Sequence, residues 1–154
     1  MASFVFTVFK ADVMKGSFDM DGAGDTIKGR LLMSTSQILV SKEDDATVGA
    51  IDTPPGDLDE CDDTGYSAQT FTTQTIETDG PNDRGEYHSD NLVFALNGDG
   101  TDDIIGCLMV KNVDGGPADI PICWLEFPAA VPKEVNSLTL NKPTEGWLHN
   151  KTAT

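Results

Sequence analysis

Residues 59–79 read DECDDTGYSAQTFTTQTIETD, a knot of carboxylates with one thiol and one tyrosine that runs directly into a threonine-rich stretch. The fold turns on whether that knot is a metal or catalytic site, or the polar approach to a β-strand. Threonines favour the second reading, because β-branched side chains are stiff at χ1 and pack well on a pleated surface. On that reading the acidic residues end a loop and Gly65-Tyr66 turns it into a strand over 66–78. The tyrosine ring then covers the core edge and its hydroxyl reaches water, with Cys61 incidental.

Outward from this stretch, short strand signals are separated by Gly, Pro, Asn and Asp clusters. They fall at 26–35, 66–78, 91–96, 104–111, 122–127, 135–140 and 146–149. That spacing predicts a mainly β, antiparallel sandwich of the jelly-roll or immunoglobulin-like kind, formed by residues 1–154 as one domain. Alternation and continuous apolar runs point Phe94, Leu108, Val110, Trp124, Leu125 and Phe127 into its core.

Two segments stand outside the strand rhythm. Phe6, Phe9, Val13 and Met14 recur at helical offsets, so residues 3–15 read as a helix capped by Ser3 and ended by Gly16, giving an N-terminal helix or arm over 1–16. Phe4, Phe6 and Val8 also alternate, which leaves a strand open. Residues 41–63 carry nine carboxylates, one lysine and a Pro54-Pro55-Gly56 turn signal. They read as a long acidic surface loop that orders poorly by itself.

Composition limits the partners. A chain of 154 residues with 26 acidic and 10 basic side chains has a formal charge of −16. That charge repels nucleic acid phosphates and anionic membranes. Cys61, Cys107 and Cys123 show no CxxC spacing and leave an odd thiol, which fits a reducing compartment. The apolar opening has no basic n-region and meets Lys10 and Asp12 too early for a signal peptide or membrane span, so synthesis into the cytoplasm is expected.

Sites for chemistry are sparse. Asp19 to Asp25 and Asn97 to Asp103 resemble the start of a calcium loop, but their twelfth positions are Arg30 and Leu108 instead of a bidentate glutamate, and no bound metal is expected. His88 and His149 lack zinc-ligand spacing and read as exposed strand-edge residues. No GxSxG elbow or phosphate-binding Gly loop is present, and Cys107 and Cys123 lie in apolar strands that favour the inert thiol. No cofactor and no catalytic residue is expected.

Taken in order, DTIKGRLLMSTS, DECDDTGYSAQTFT, DRGEYHSDNLVFALNGDG, DDIIGCLMVKNVDGGPADIPICWLEFP and NSLTLNKPTEGWL resemble a family of small tailed-bacteriophage virion proteins. The likeness rests on Asp25-Thr26-Ile27-Lys28, Thr64-Gly65-Tyr66-Ser67, Asp90-Asn91-Leu92-Val93-Phe94, Pro121 to Phe127 and Gly146-Trp147-Leu148. The chain departs from the family at Gln69, where glycine is frequent, at Phe94, where tryptophan is commoner, and in the length of 41–58. The resemblance implies a non-enzymatic virion component, chiefly a capsid decoration (cement) protein whose partners are the major capsid protein and copies of itself. A tail or head–tail junction protein is the alternative, and a carbohydrate-binding sandwich module a third reading. Phe4, Phe6, Phe9 and Val13 are then the expected anchors on neighbouring subunits.

Overall fold

The structure, a computed structural model, describes residues 3–20, 24–38, 42–82, 84–144 and 146–151. It is mainly β. The strands are β1 (Phe4–Val5), β2 (Ile27–Met33), β3 (Gln69–Thr70), β4 (Thr75–Asp79), β5 (Arg84–His88), β6 (Leu92–Ala95), β7 (Ile104–Lys111), β8 (Ile120–Val131), β9 (Ser137–Leu140) and β10 (Leu148–Lys151). Helix α1 spans Thr7–Met14 and the single turn α2 spans Val48–Ile51. All strand pairs are antiparallel, in sheets ordered β1-β8-β7-β2-β3, β10-β5-β4 and β6-β9, none of which closes on itself.

The central strand β7 is a near-continuous apolar run, as a strand covered on both faces of its sheet is expected to be, and its neighbour β2 is buried along its length except at Lys28. On one face Ile27, Leu31, Met33, Ile104, Cys107 and Met109 meet Tyr87, Leu92 and Phe94 from the smaller sheets. On the other, Leu32, Leu108, Val110 and Trp124 form a second cluster with Phe6, Ile38, Val48 and Ile51. Gly106 makes room for this arrangement. A Cβ there would run into the Trp124 indole and the Leu125 carbonyl, so the ring lies over bare backbone.

The second face is covered by the segments that the sequence reading set apart from the sheet. Residues 42–63 are not a structureless loop. Thr47 caps α2 through Ala50 N–H at 3.2 Å, and α2 inserts Val48 and Ile51 into the core. The Lys42 ammonium donates to the carbonyls of Ile51 and Thr53 at 2.7 and 2.9 Å and pairs with Asp57 at 3.0 Å. Asp52 accepts from the N–H groups of Gly56 and Leu58. Asp52, Asp62 and Asp63, three of the nine carboxylates in the segment, accept from backbone N–H groups, and the missed signal was the apolar tetrad VGAI inside the acidic run.

At the N-terminus both expected conformations occur in succession. Residues 4–5 pair with β8, Phe4 opposite Trp124 and Val5 opposite Cys123, and the helix starts only at Thr7. Ser3 does not cap it; its hydroxyl accepts from Glu126 N–H at 3.0 Å, and Phe6 occupies the N-cap position with no side-chain cap. Phe6 is 0% exposed within the chain's own core, so its ring offers nothing to a neighbouring subunit. Phe94, Leu108, Val110 and Trp124 are buried, whereas Leu125 and Phe127 are half-buried at the margin of the first cluster.

Phe6→Ala and Trp124→Ala should each destabilise the chain by about 3–5 kcal/mol, as large-to-small changes at full burial do. Exposed Val13→Ala should stay within about 0.5 kcal/mol of the parent. Urea unfolding midpoints test both, and a parent-like Phe6→Ala would remove the N-terminal segment from the core.

Candidate functional site

The acidic knot at 59–66 is built into the edge of β2. Past β3, Leu31 carbonyl accepts from Cys61 N–H at 2.9 Å and Met33 N–H donates to Asp59 carbonyl at 2.8 Å. Between these ladders the Tyr66 hydroxyl accepts from Leu31 N–H at 3.0 Å and donates to Glu60 Oε1 at 2.7 Å. The hydroxyl thus stands in for a backbone partner instead of reaching water. Burial, with the Glu60 charge beside it, pushes its pKa well above the ordinary tyrosine value. The ring stacks on Phe94 at 6.1 Å.

Asp62 and Asp63 bind the turn at 97–101. Asp63 accepts from the N–H groups of Gly65, Asn97, Gly98 and Asp99 at 2.7–3.1 Å, and Asp62 accepts from the N–H and hydroxyl of Thr101, both at 2.9 Å. Gly98 supplies the left-handed step at φ 73° that aims these amides at one carboxylate. Asp99 reciprocates, accepting from the N–H and hydroxyl of Thr64. The resemblance to a calcium loop is therefore misleading here, since backbone donors converge on a carboxylate where a cation would need convergent oxygens. In the other candidate, Asp25 pairs with Lys111 at 2.8 Å and accepts from Asp19 N–H, while residues 21–23 lie outside the described residues. No group of three His, Cys, Asp or Glu that could hold a metal occurs among the described residues.

A buried polar chain that the sequence reading missed lies on β5. His88 is buried, contrary to an exposed edge position, with Nε2 2.8 Å from Glu86 Oε2; Arg84 Nε donates to Glu86 Oε1 at 2.7 Å and to Asp79 at 3.1 Å. Glu86 and His88 share one face of the strand while Tyr87 enters the core, so the alternation in RGEYH was legible but its polar face gave no sign of burial. The His149 side chain falls outside the described residues. Cys61, Cys107 and Cys123 are free and buried. Burial raises all three thiols, Cys107 to about 12, which leaves them protonated and weakly nucleophilic.

Of the expected anchors, only part is accessible. Phe4 is half-buried and lines an open cleft with Val5, Leu125, Trp147 and Leu148. Phe9 is half-buried and meets Phe18 edge-on at 5.0 Å. Val13 and Met14 are exposed at the end of α1, at 47% and 89%. The structure therefore separates Phe6, a core residue, from three neighbours that retain surface. No known family model matches the chain, and no curated protein or solved structure resembles it closely enough to count as a match.

The Asp62, Asp63 and Asp119 carboxyls have depressed pKa values. For Asp62 the hydrogen bonds from Thr101 dominate. For Asp63 and Asp119 burial acts in the opposite direction but is outweighed by backbone N–H donors and, at Asp119, by Arg30. The stability they add is present above the ordinary aspartate value of about 3.9 and is lost as pH falls through their lowered folded values. Urea midpoints should accordingly fall below about pH 4, with a shallower dependence in Asp63→Asn; an unchanged slope would deny the clasp this role. Calcium titration of the intact chain should give no saturable heat that Asp99→Ala abolishes.

Proposed function

We propose that the chain is a non-enzymatic structural protein of a tailed-bacteriophage particle, and within that class a capsid decoration (cement) protein on the outer face of the head. The observation that carries this reading is the order of the shared motifs together with their distribution over the fold. Asp25 to Lys28 lead into β2, Thr64 to Ser67 into β3, Asp90 to Phe94 into β6, Pro121 to Phe127 run along β8, and Gly146 to Leu148 lead into β10. Each motif thus belongs to a separate structural element, as a resemblance in overall design requires. The five-stranded sheet, with the smaller sheets against one face, supports a β-sandwich of the jelly-roll or immunoglobulin-like kind.

A cement protein binds at seams between major capsid subunits and stabilises the closed shell by mass action, since it binds the assembled state and not the dispersed one. A charge of −16 favours an outward position, away from packaged DNA. Apolar contact to the shell comes from the accessible parts of Phe4 and Phe9 and from Val13 at the end of α1. Phe6 holds this segment to the domain from below. On this reading the protein is made in the host cytoplasm and ends in the virion.

Quantitative mass spectrometry of purified particles tests the assignment. A cement protein is present in numbers comparable with the major capsid protein, and adding it to heads that lack it raises their heat resistance. A copy number matching a single ring would move the protein to the tail or head–tail junction. Absence from particles would end the virion reading.

A further inference from the structure

The sheets differ in how their edges are protected. Edge strands usually carry charge, proline or a bulge that prevents pairing with another chain. β4 carries Glu77 and Asp79, β10 carries Lys151, and β1 and β3 are two residues long. The side of β6 away from β9 is held at its two ends, where Asn97 N–H binds Asp63 and Asp90 N–H binds the Thr72 carbonyl. β9, Ser-Leu-Thr-Leu, has no such protection. It pairs with β6 on one side, carries no charge, and its other side meets no partner among the described residues.

The ladder parity shows what that side presents. Leu96 N–H donates to the Asn136 carbonyl, and the same register puts Phe94 opposite Leu138 and Leu92 opposite Leu140. Even-numbered residues of β9 thus form the hydrogen-bonded pairs with β6, and Ser137 and Thr139 turn their N–H and C=O groups outward. Their side chains are exposed, while Leu138 and Leu140 rest on the core.

We infer that β9 pairs antiparallel with β9 of a second copy, joining two two-stranded sheets into one of four strands across a two-fold axis. An antiparallel edge is self-complementary about such an axis, which makes an identical chain a sufficient partner. Charge narrows the choice further, because two molecules of charge −16 repel over most of their surfaces and can approach at low cost where strand and flanking residues are neutral. Centring the axis on Leu138 makes Ser137 and Thr139 the reciprocal hydrogen-bonded pair. It also places their hydroxyl side chains side by side on the outer face, a favourable cross-strand match. The same register brings Lys142 beyond one strand end toward the turn that carries Glu134 of the other copy. The inference stands on the sheet edge alone and does not depend on a place in a virion.

Sedimentation of the intact chain over a concentration series should show a monomer–dimer equilibrium. Thr139→Pro removes an outward N–H without touching the β6 ladder. It should weaken the dimer at least about tenfold while leaving the circular dichroism unchanged. Ser137→Asp with Thr139→Asp should be monomeric, as should the corresponding double lysine variant, and mixing the two should restore a heterodimer. In the unsubstituted chain, hydrogen exchange at the Ser137 and Thr139 amides should slow as concentration rises. A monomer at every soluble concentration, or a dimer unaffected by these variants and without concentration-dependent protection at the two amides, overturns the proposal.

Discussion

The guanidinium of Arg30 lies in the middle of β2, on the face that Leu32, Leu108, Val110 and Trp124 otherwise fill with hydrocarbon. A charge in that position must be paired, and Asp119, itself 0% exposed, pairs with it. The other Asp119 oxygen accepts from the N–H groups of Val113, Asp114 and Gly115, which folds the β7–β8 connection back over the sheet. That connection then offers the carbonyls of Asp119 and Pro117 to the N–H groups of Val48 and Gly49. The acidic segment is docked through them, and with it Val48, Ile51 and the cover of the second face. A sheet buried on both faces thus depends on one ion pair that fixes where its covering layer sits. Glu60 adds a weaker contact to Arg30 at 3.4 Å, which joins this system to the Tyr66 edge.

The same economy of charge runs through the molecule. A chain of net charge −16 resists compaction by self-repulsion unless its carboxylates are locally compensated. Asp52, Asp62, Asp63 and Asp119 find compensation in backbone N–H groups, which carry partial positive charge and would otherwise need water. Turns that lack regular hydrogen bonding are thereby satisfied by side chains. In contrast, the indole N–H groups of Trp124 and Trp147 are buried without a partner among the described residues, a local cost tolerated for the large apolar area each ring brings.

Period-two patterning made the strands readable where burial and polarity agreed. β7 runs from Ile104 to Lys111, as the sequence reading placed it, because its apolar run is bounded by turn residues on both sides. β5 escaped notice since Glu86 and His88 are polar residues that satisfy one another in the interior, a pairing that depends on the fold and not on local composition. α2 is too short for helical periodicity to register. The capping role given to Ser3 failed because residues 4–5 were recruited as a strand by β8, a partner distant in sequence. The single strand read over 66–78 is split at Thr73, whose φ is 53°, into β3 and β4 of different sheets, and a Tyr66 hydroxyl that replaces a backbone acceptor leaves no local trace. The clasp between 62–65 and 97–101 was visible only as two acidic runs, whose mutual pairing becomes apparent when both turns share one end of the fold.

The pairing of β1 with β8 has a consequence for biosynthesis. Phe4 and Val5 have no strand partner, and Phe6 no core, until Cys123 and Trp124 have left the ribosome. This segment, made long before β8, is thus among the last to be buried. Such long-range closure slows folding, and unpaired apolar segments of this kind are where nascent chains aggregate. The closely following Lys10, Asp12 and Lys15 keep the waiting segment charged and hydrated during that interval.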